Sequence, residues 1–148
     1  MLKIEKKILE WIEARIWIFA FIVFSVIGIV VRFILRDIQS PDYVSFLSTW
    51  YDEIKNAGGT NAFGYQVGNY SMPYQNLIFL LTHFSLDSLY VYKLVSCLFD
   101  FGLAILVAVL TYQLINDNKL QSACMAYALT LLSPIVVLNS AAWAQCDT

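Results

Sequence analysis

Three stretches of this chain are apolar for long enough to cross a bilayer, and that property limits it to one class of fold. Ile16 to Leu35 is a run of 20 residues interrupted only by Ser25, Gly28 and Arg32. Tyr92–Ile115 and Leu120–Leu138 are the other two. A hydrocarbon layer about 30 Å thick takes roughly 20 apolar residues as a helix. With no water inside lipid, each such segment has to satisfy its backbone internally. The expectation is an all-α integral membrane protein with three or four hydrophobic segments, three of them spanning. A signal peptide has a shorter apolar region and a small-residue cleavage site. Neither is found around Ile16–Leu35, so this run reads as an uncleaved span.

Composition agrees. Apolar residues make up 59% of the 148 and charged residues 14%, against about 45–50% and about 25% in soluble domains. A net charge of −2 without a basic, aromatic-interleaved patch excludes a nucleic-acid partner. Cys97, Cys124 and Cys146 stand in or beside apolar runs without a C-x-x-C, and read as small packing residues. His83 has no ligand partner at usable spacing, so no metal site is expected. No P-loop, zinc, Ser/His/Asp or dinucleotide pattern occurs.

Residues 1–15 read as an amphipathic helix on the cytoplasmic face, with Ile4, Ile8, Trp11 and Ile12 on one side and lysines and glutamates on the other. Lys3, Lys6, Lys7 and Arg15 before the span 16–35 place the N-terminus in the cytoplasm by the positive-inside rule. Arg32 and Arg36 run against that rule, and are read as snorkelling to the far interface. Residues 36–72 then form the first exterior loop. Within it Ser40 and Pro41 start a helix, serine as N-cap and proline in the first turn. Tyr43, Leu47, Trp50 and Ile54 recur at helical spacing, with Phe46 and Tyr51 widening the stripe, and Gly58-Gly59 stops it. This helix, 41–56, is expected to lie flat in the lipid–water interface. Segment 73–86 is too short to span comfortably and reads as re-entrant or interfacial. The segments 92–115 and 120–138 span, joined by the polar turn Asn116–Lys119, and 139–148 opens a second exterior loop. With this count Asp42, Lys93, Asp100 and Asp147 approach one exterior face.

Four groups invite a chemical reading. Asp100 in LFDFG lies inside a span, where a carboxylate costs at least about 2.5 kcal/mol and marks a functional site by default. Lys93 lies two turns earlier on the same helix face, placed to act as a partial partner. The structural alternative is a polar contact between Asp100 and a helix outside these 148 residues. Asp42 stands in the first turn of a helix, where aligned peptide dipoles favour negative charge. Asp37 precedes it in the loop. Asp52, Glu53 and Lys55 read as a solvated face.

Read in order, SPDYVSFLSTWYDEIKNAGG, GNYSMPY, YKLVSCLFDF and SPIVVLNSAAWAQCDT resemble the GT-C superfamily of polytopic glycosyltransferases. The nearest resemblance is to the bacterial group related to the enzyme that adds the second mannose of GPI anchors. It runs from about Arg36 to Thr148, and its most specific parts are the SPDY…WYD…GG and NSAAWAQCD runs. The resemblance implies a membrane enzyme, in a bacterial cell membrane, that passes a sugar from a polyprenyl-phosphate donor to a hydroxyl of a lipid or glycan acceptor on the exterior face. It implies Asp42 as catalytic base, and Lys93, Asp100, Asp147, Tyr70 and Gln145 as substrate-binding residues, Lys93 beside the donor phosphate. No cofactor is implied with certainty, and a divalent metal stays open. Family members carry many more spanning helices, so the chain is expected to be an N-terminal fragment, inactive alone. A transporter or channel subunit using Asp100, and a small assembly protein, are the alternative readings.

The topology is testable at Cys146. With Cys97 and Cys124 changed to serine, a membrane-impermeant thiol reagent is expected to label Cys146 in intact cells. Labelling only after permeabilisation would mean that 73–86 crosses the membrane.

Overall fold

The computed structural model describes residues 3–64, 66–69 and 71–145, and every regular element among them is helical. Helix α1 covers Lys3–Ile34, α2 Ser48–Ala57, α3 Met72–Leu81, α4 Ser88–Leu114, α5 Lys119–Leu131 and α6 Pro134–Val137. A π-helical turn, Tyr43–Leu47, leads into α2, and a second, Leu138–Ala142, leads out of α6. Among the described residues two helices are long and apolar enough to cross a membrane, Ile4–Ile34 and Ser88–Leu114. Lys119–Leu131 and Pro134–Ala142 qualify only as a pair, bent by 45° at the break before Pro134.

Two expectations change here. The surface helix 1–15 and the span 16–35 are one continuous helix, 32 residues long, or about 48 Å at 1.5 Å per residue. No glycine or proline occurs before Gly28, so nothing interrupts the hydrogen-bond ladder at Arg15–Ile16. Segment 73–86 contracts to the ten residues of α3, too short to span. Thr82 Oγ1 (2.7 Å) and a His83 ring nitrogen (3.1 Å) both turn back on the Phe79 carbonyl where the helix ends.

The described residues form two compact units, one from Met1–Ile34 and Leu98–Val137, the other from Leu35–Cys97 and Leu138–Thr148. In the first, Ala104 and Ala108 of α4 meet Ala123, Tyr127 and Leu131 of α5, with Phe21 and Phe24 of α1 against them. Small residues let membrane helices approach closely. Gly28 does the same for α1, since a Cβ there would lie 2.8 Å from Leu131 Cδ2. Ser25 donates to the Phe21 carbonyl at 2.8 Å, and the Tyr127 hydroxyl lies 2.8 Å from Ser25 Oγ.

Arg32 does not snorkel. It is 6% exposed and its guanidinium turns inward, with Nη2 donating to Asp100 Oδ2 at 2.7 Å and Nε to the same oxygen at 3.2 Å. The remaining bonds go to backbone carbonyls, Gly28 at 3.2 Å and Leu131 at 3.1 Å. The partner of Asp100 is thus inside this chain, on α1, and one cation joins three helices. Its contact with the Leu131 carbonyl also serves an acceptor at the end of α5, where the bend leaves carbonyls without the next turn's N–H groups.

In the second unit Pro41 and Asp42 are already helical and the helix continues through the π turn into α2. Its stripe is buried, but not in lipid: Tyr43, Leu47, Tyr51 and Ile54 form a core with Ile78 and Phe79 of α3 and Leu89, Val91 and Tyr92 of α4. Trp50 is partly buried and Phe46 exposed. The stripe expected to meet lipid therefore packs against the protein itself. Gln75, buried on α3, accepts from the Val67 N–H and donates to the Ala62 carbonyl, both at 2.9 Å. These bonds tie the loop after α2 to α3. Gly68 (φ +63°) lies so near Trp50 that a Cβ would meet the indole at 2.4 Å.

Removing one member of the buried ion pair strands the other in a low-dielectric site. Arg32→Met alone, or Asp100→Leu alone, is expected to cost about 3–5 kcal/mol, read as lost resistance to denaturation in detergent. The double variant should recover most of this, short of the bond to Leu131. Single variants that keep wild-type stability would mean that the pair is incidental.

Candidate functional site

The second unit brings two distant loops together at the start of its helix. Ser40 Oγ accepts the Tyr43 N–H at 3.1 Å, the N-cap expected from Ser-Pro, and the Val44 N–H reaches the Ser40 carbonyl at 3.1 Å. The same hydroxyl donates its proton to the Trp143 carbonyl at 2.9 Å. Two residues on in each strand, Gln145 Nε2 donates to Asp42 Oδ2 at 2.7 Å, across 103 positions of sequence. Two bonds therefore clasp Ser40–Asp42 to Trp143–Gln145. Both Asp42 and Gln145 are half-buried, so the carboxylate is held yet reachable.

The backbone on both sides of this clasp is unusual. Asp42 immediately precedes one π turn and Trp143 immediately follows the other. Single π turns within helices are rare and concentrate at functional sites. Trp143 N–H bonds the Leu138 carbonyl at 3.0 Å and Gln145 N–H returns to that of Asn139 at 3.1 Å. Between them Ala144 has φ 60° and is buried. Such a left-handed helix end normally falls to glycine or asparagine. Alanine there carries about 1–2 kcal/mol of strain, and strain of this kind gathers where a side chain has to be aimed. Here it falls one residue before Gln145, whose amide meets Asp42.

Of the residues selected from sequence, Asp42 and Gln145 meet. Lys93 is 5% exposed, and its ammonium donates to the carbonyls of Leu35, Arg36 and Ile38 at 2.9, 2.9 and 2.6 Å. Three protons meet three acceptors, so Lys93 fastens the turn that leaves α1 and has no proton left over for a phosphate. Asp100 is fully buried against Arg32. Tyr70, Cys146 and Asp147 lie outside the described residues. Among the described residues no group of three or more His, Cys, Asp or Glu could hold a metal ion.

Asp37 differs from Asp42 in its partners. The Tyr90 hydroxyl donates to Oδ1 at 2.8 Å and Arg36 Nε lies 3.3 Å from Oδ2. The Tyr90 hydrogen bond, with help from Arg36, holds the Asp37 carboxyl below the usual carboxylate range. Any stability this exposed group adds is present above about pH 4 and is lost as pH falls through the lowered value. Sequence pattern does not reveal Ser40 as a link to Trp143, Arg32 as a partner of Asp100, or the left-handed backbone at Ala144. Only Arg32 left a trace, as a charge of opposite sign in a second span.

Ser40→Ala removes both the cap and the bond to Trp143. The expected cost is about 1–2 kcal/mol, with faster amide exchange at Tyr43 and Gln145 than elsewhere in the unit. Unchanged exchange at Gln145 would mean that the strand 143–145 is held without Ser40.

No protein-family model, no curated protein and no solved structure matches this chain. The chemistry of the clasp has to be read from its own groups.

Proposed function

We propose that this chain is a membrane glycosyltransferase unit of the GT-C type, with Asp42 as general base. The observation that carries the reading is the Asp42–Gln145 bond. It joins the two runs in which the family resemblance is most specific, SPDY and NSAAWAQ, at one half-open carboxylate. The three-span arrangement with a cytoplasmic N-terminus belongs to the same proposal and puts the clasp on the exterior face.

An acceptor hydroxyl becomes a nucleophile by giving up its proton as its oxygen attacks the anomeric carbon. The bond from that carbon to the polyprenyl-phosphate oxygen breaks, and the phosphate leaves with the electron pair. Asp42 accepts the proton, a role worth about 10²–10⁴ in rate. Gln145, a neutral donor on one carboxylate oxygen, orients the base without cancelling its charge. Countercharge for the leaving phosphate has to come from a group other than Lys93, whose protons are committed to carbonyls. The transporter alternative drew on a lone intramembrane carboxylate, and Asp100 has a structural account in Arg32.

Asp42→Asn keeps the size and the hydrogen bond of the side chain but cannot take a proton. In membranes carrying the full-length protein, transfer from labelled polyprenyl-phosphate sugar should fall by about 10²–10⁴ in kcat, with expression and donor binding retained. Asp37→Asn should cost far less. Near-normal turnover in Asp42→Asn would assign the base elsewhere.

A further inference from the structure

We infer that Trp143 is the stacking platform for an acceptor pyranose, whose hydroxyls bond Asp42 and Gln145. This rests on the reading above and adds which half of the reaction occupies the clasp. Trp143 is 52% exposed, although it belongs to a strand pinned at both ends of the Trp143–Gln145 stretch. Its own carbonyl is held by Ser40, and Gln145, two residues on, is held by Asp42. Buried Ala144 stands between them. An exposed indole on a fixed backbone offers a large rigid surface at little entropic cost. A pyranose has an apolar C–H face that packs on such a ring, and an edge of hydroxyls that both donate and accept. Asp42 accepts only, and the Gln145 amide donates and accepts, so the pair matches that edge.

Charge decides between the two substrates. The clasp holds one carboxylate, and Lys93, a cation buried in the same unit, is bound to backbone. A phosphate placed here would meet the like charge of Asp42, at a cost that rises as water is excluded. A neutral polyol would not. The hydroxyl-bearing acceptor is therefore the group that fits.

The test uses the intact chain in lipid nanodiscs with 5-fluorotryptophan in place of its four tryptophans. Trp143→Phe assigns the fluorine resonance of Trp143. Methyl glycosides of mannose, glucose and N-acetylglucosamine are titrated, and a headgroup spin label is added separately. The expected result is a saturable shift of the Trp143 resonance with at least one glycoside, with Kd on the order of millimolar, a weak affinity of about −4 kcal/mol. Asp42→Asn and Gln145→Leu should each weaken it at least about tenfold, while the other three resonances stay in place. A resonance that no glycoside moves would overturn the inference, and broadening by the spin label would then make Trp143 an anchor in the headgroups. A shift that survives both Asp42→Asn and Gln145→Leu would overturn it as well, because the sugar would be bound away from the clasp. Sugar binding to this chain, with no transfer activity in membranes carrying the full-length protein, would sink the transferase reading and leave this site standing. Transfer activity with a silent Trp143 would do the reverse.

Discussion

A guanidinium inside an apolar unit must find acceptors for its protons or the helix that carries it does not stay buried. Arg32 meets this requirement with one carboxylate and two backbone carbonyls, supplied by α4, by α5 and by its own helix. The arrangement of the first unit follows. Asp100 is tolerated because Arg32 neutralises it, the end of α5 is tolerated because Arg32 serves its carbonyl, and Gly28 is needed because the helices must come close enough for both. Such a pair adds little stability over a hydrophobic replacement, but sliding any one helix would break it and strand a buried charge.

The second unit applies the same rule to backbone. Lys93 is spent on three carbonyls of one turn, and Gln75 on two groups of one loop. These are costly residues to bury, and each ties down an irregular segment that has no helix partner of its own. The consequence is a hydrogen-bonded frame around the start of the 41–57 helix. On that frame the less usual features accumulate on the two segments that the Asp42–Gln145 bond joins: a π turn after Asp42, and a π turn, an exposed tryptophan and a left-handed alanine before Gln145.

Three aspartates show how partners set roles. Asp100 meets a cation in a closed site and is electrically complete. Asp37 meets a phenol and an arginine in the open, and both stabilise its anion. Asp42 meets a neutral amide at the edge of the surface. Orientation without charge cancellation is what a proton acceptor needs, and of the three arrangements the third suits the role proposed for Asp42. The same reasoning makes Asp42 a poor neighbour for phosphate and a good one for a hydroxyl.

Much of this protein was legible in its residues taken alone. Apolar run length dictates helices fit to cross a membrane, because lipid offers the backbone nothing. Ser40-Pro41 dictates where a helix begins, because the cap and the fixed φ act locally. Spacing shows that Tyr43, Leu47 and Ile54 share a face. What that face meets is decided elsewhere, by α3 and the first turns of α4, so a stripe that pattern alone assigns to lipid becomes core. The continuous α1 was open to local reading too, in the absence of any breaker near Arg15. Arg32 with Asp100, Ser40 with Trp143 and Asp42 with Gln145 are different in kind. Each pair is separated by 68 or 103 residues, and no periodicity reaches that far. Chain connectivity brings such groups near one another only after the helices have packed, and it is there, in hydrogen bonds of 2.7 to 2.9 Å, that a carboxylate acquires its partner and with it its chemistry.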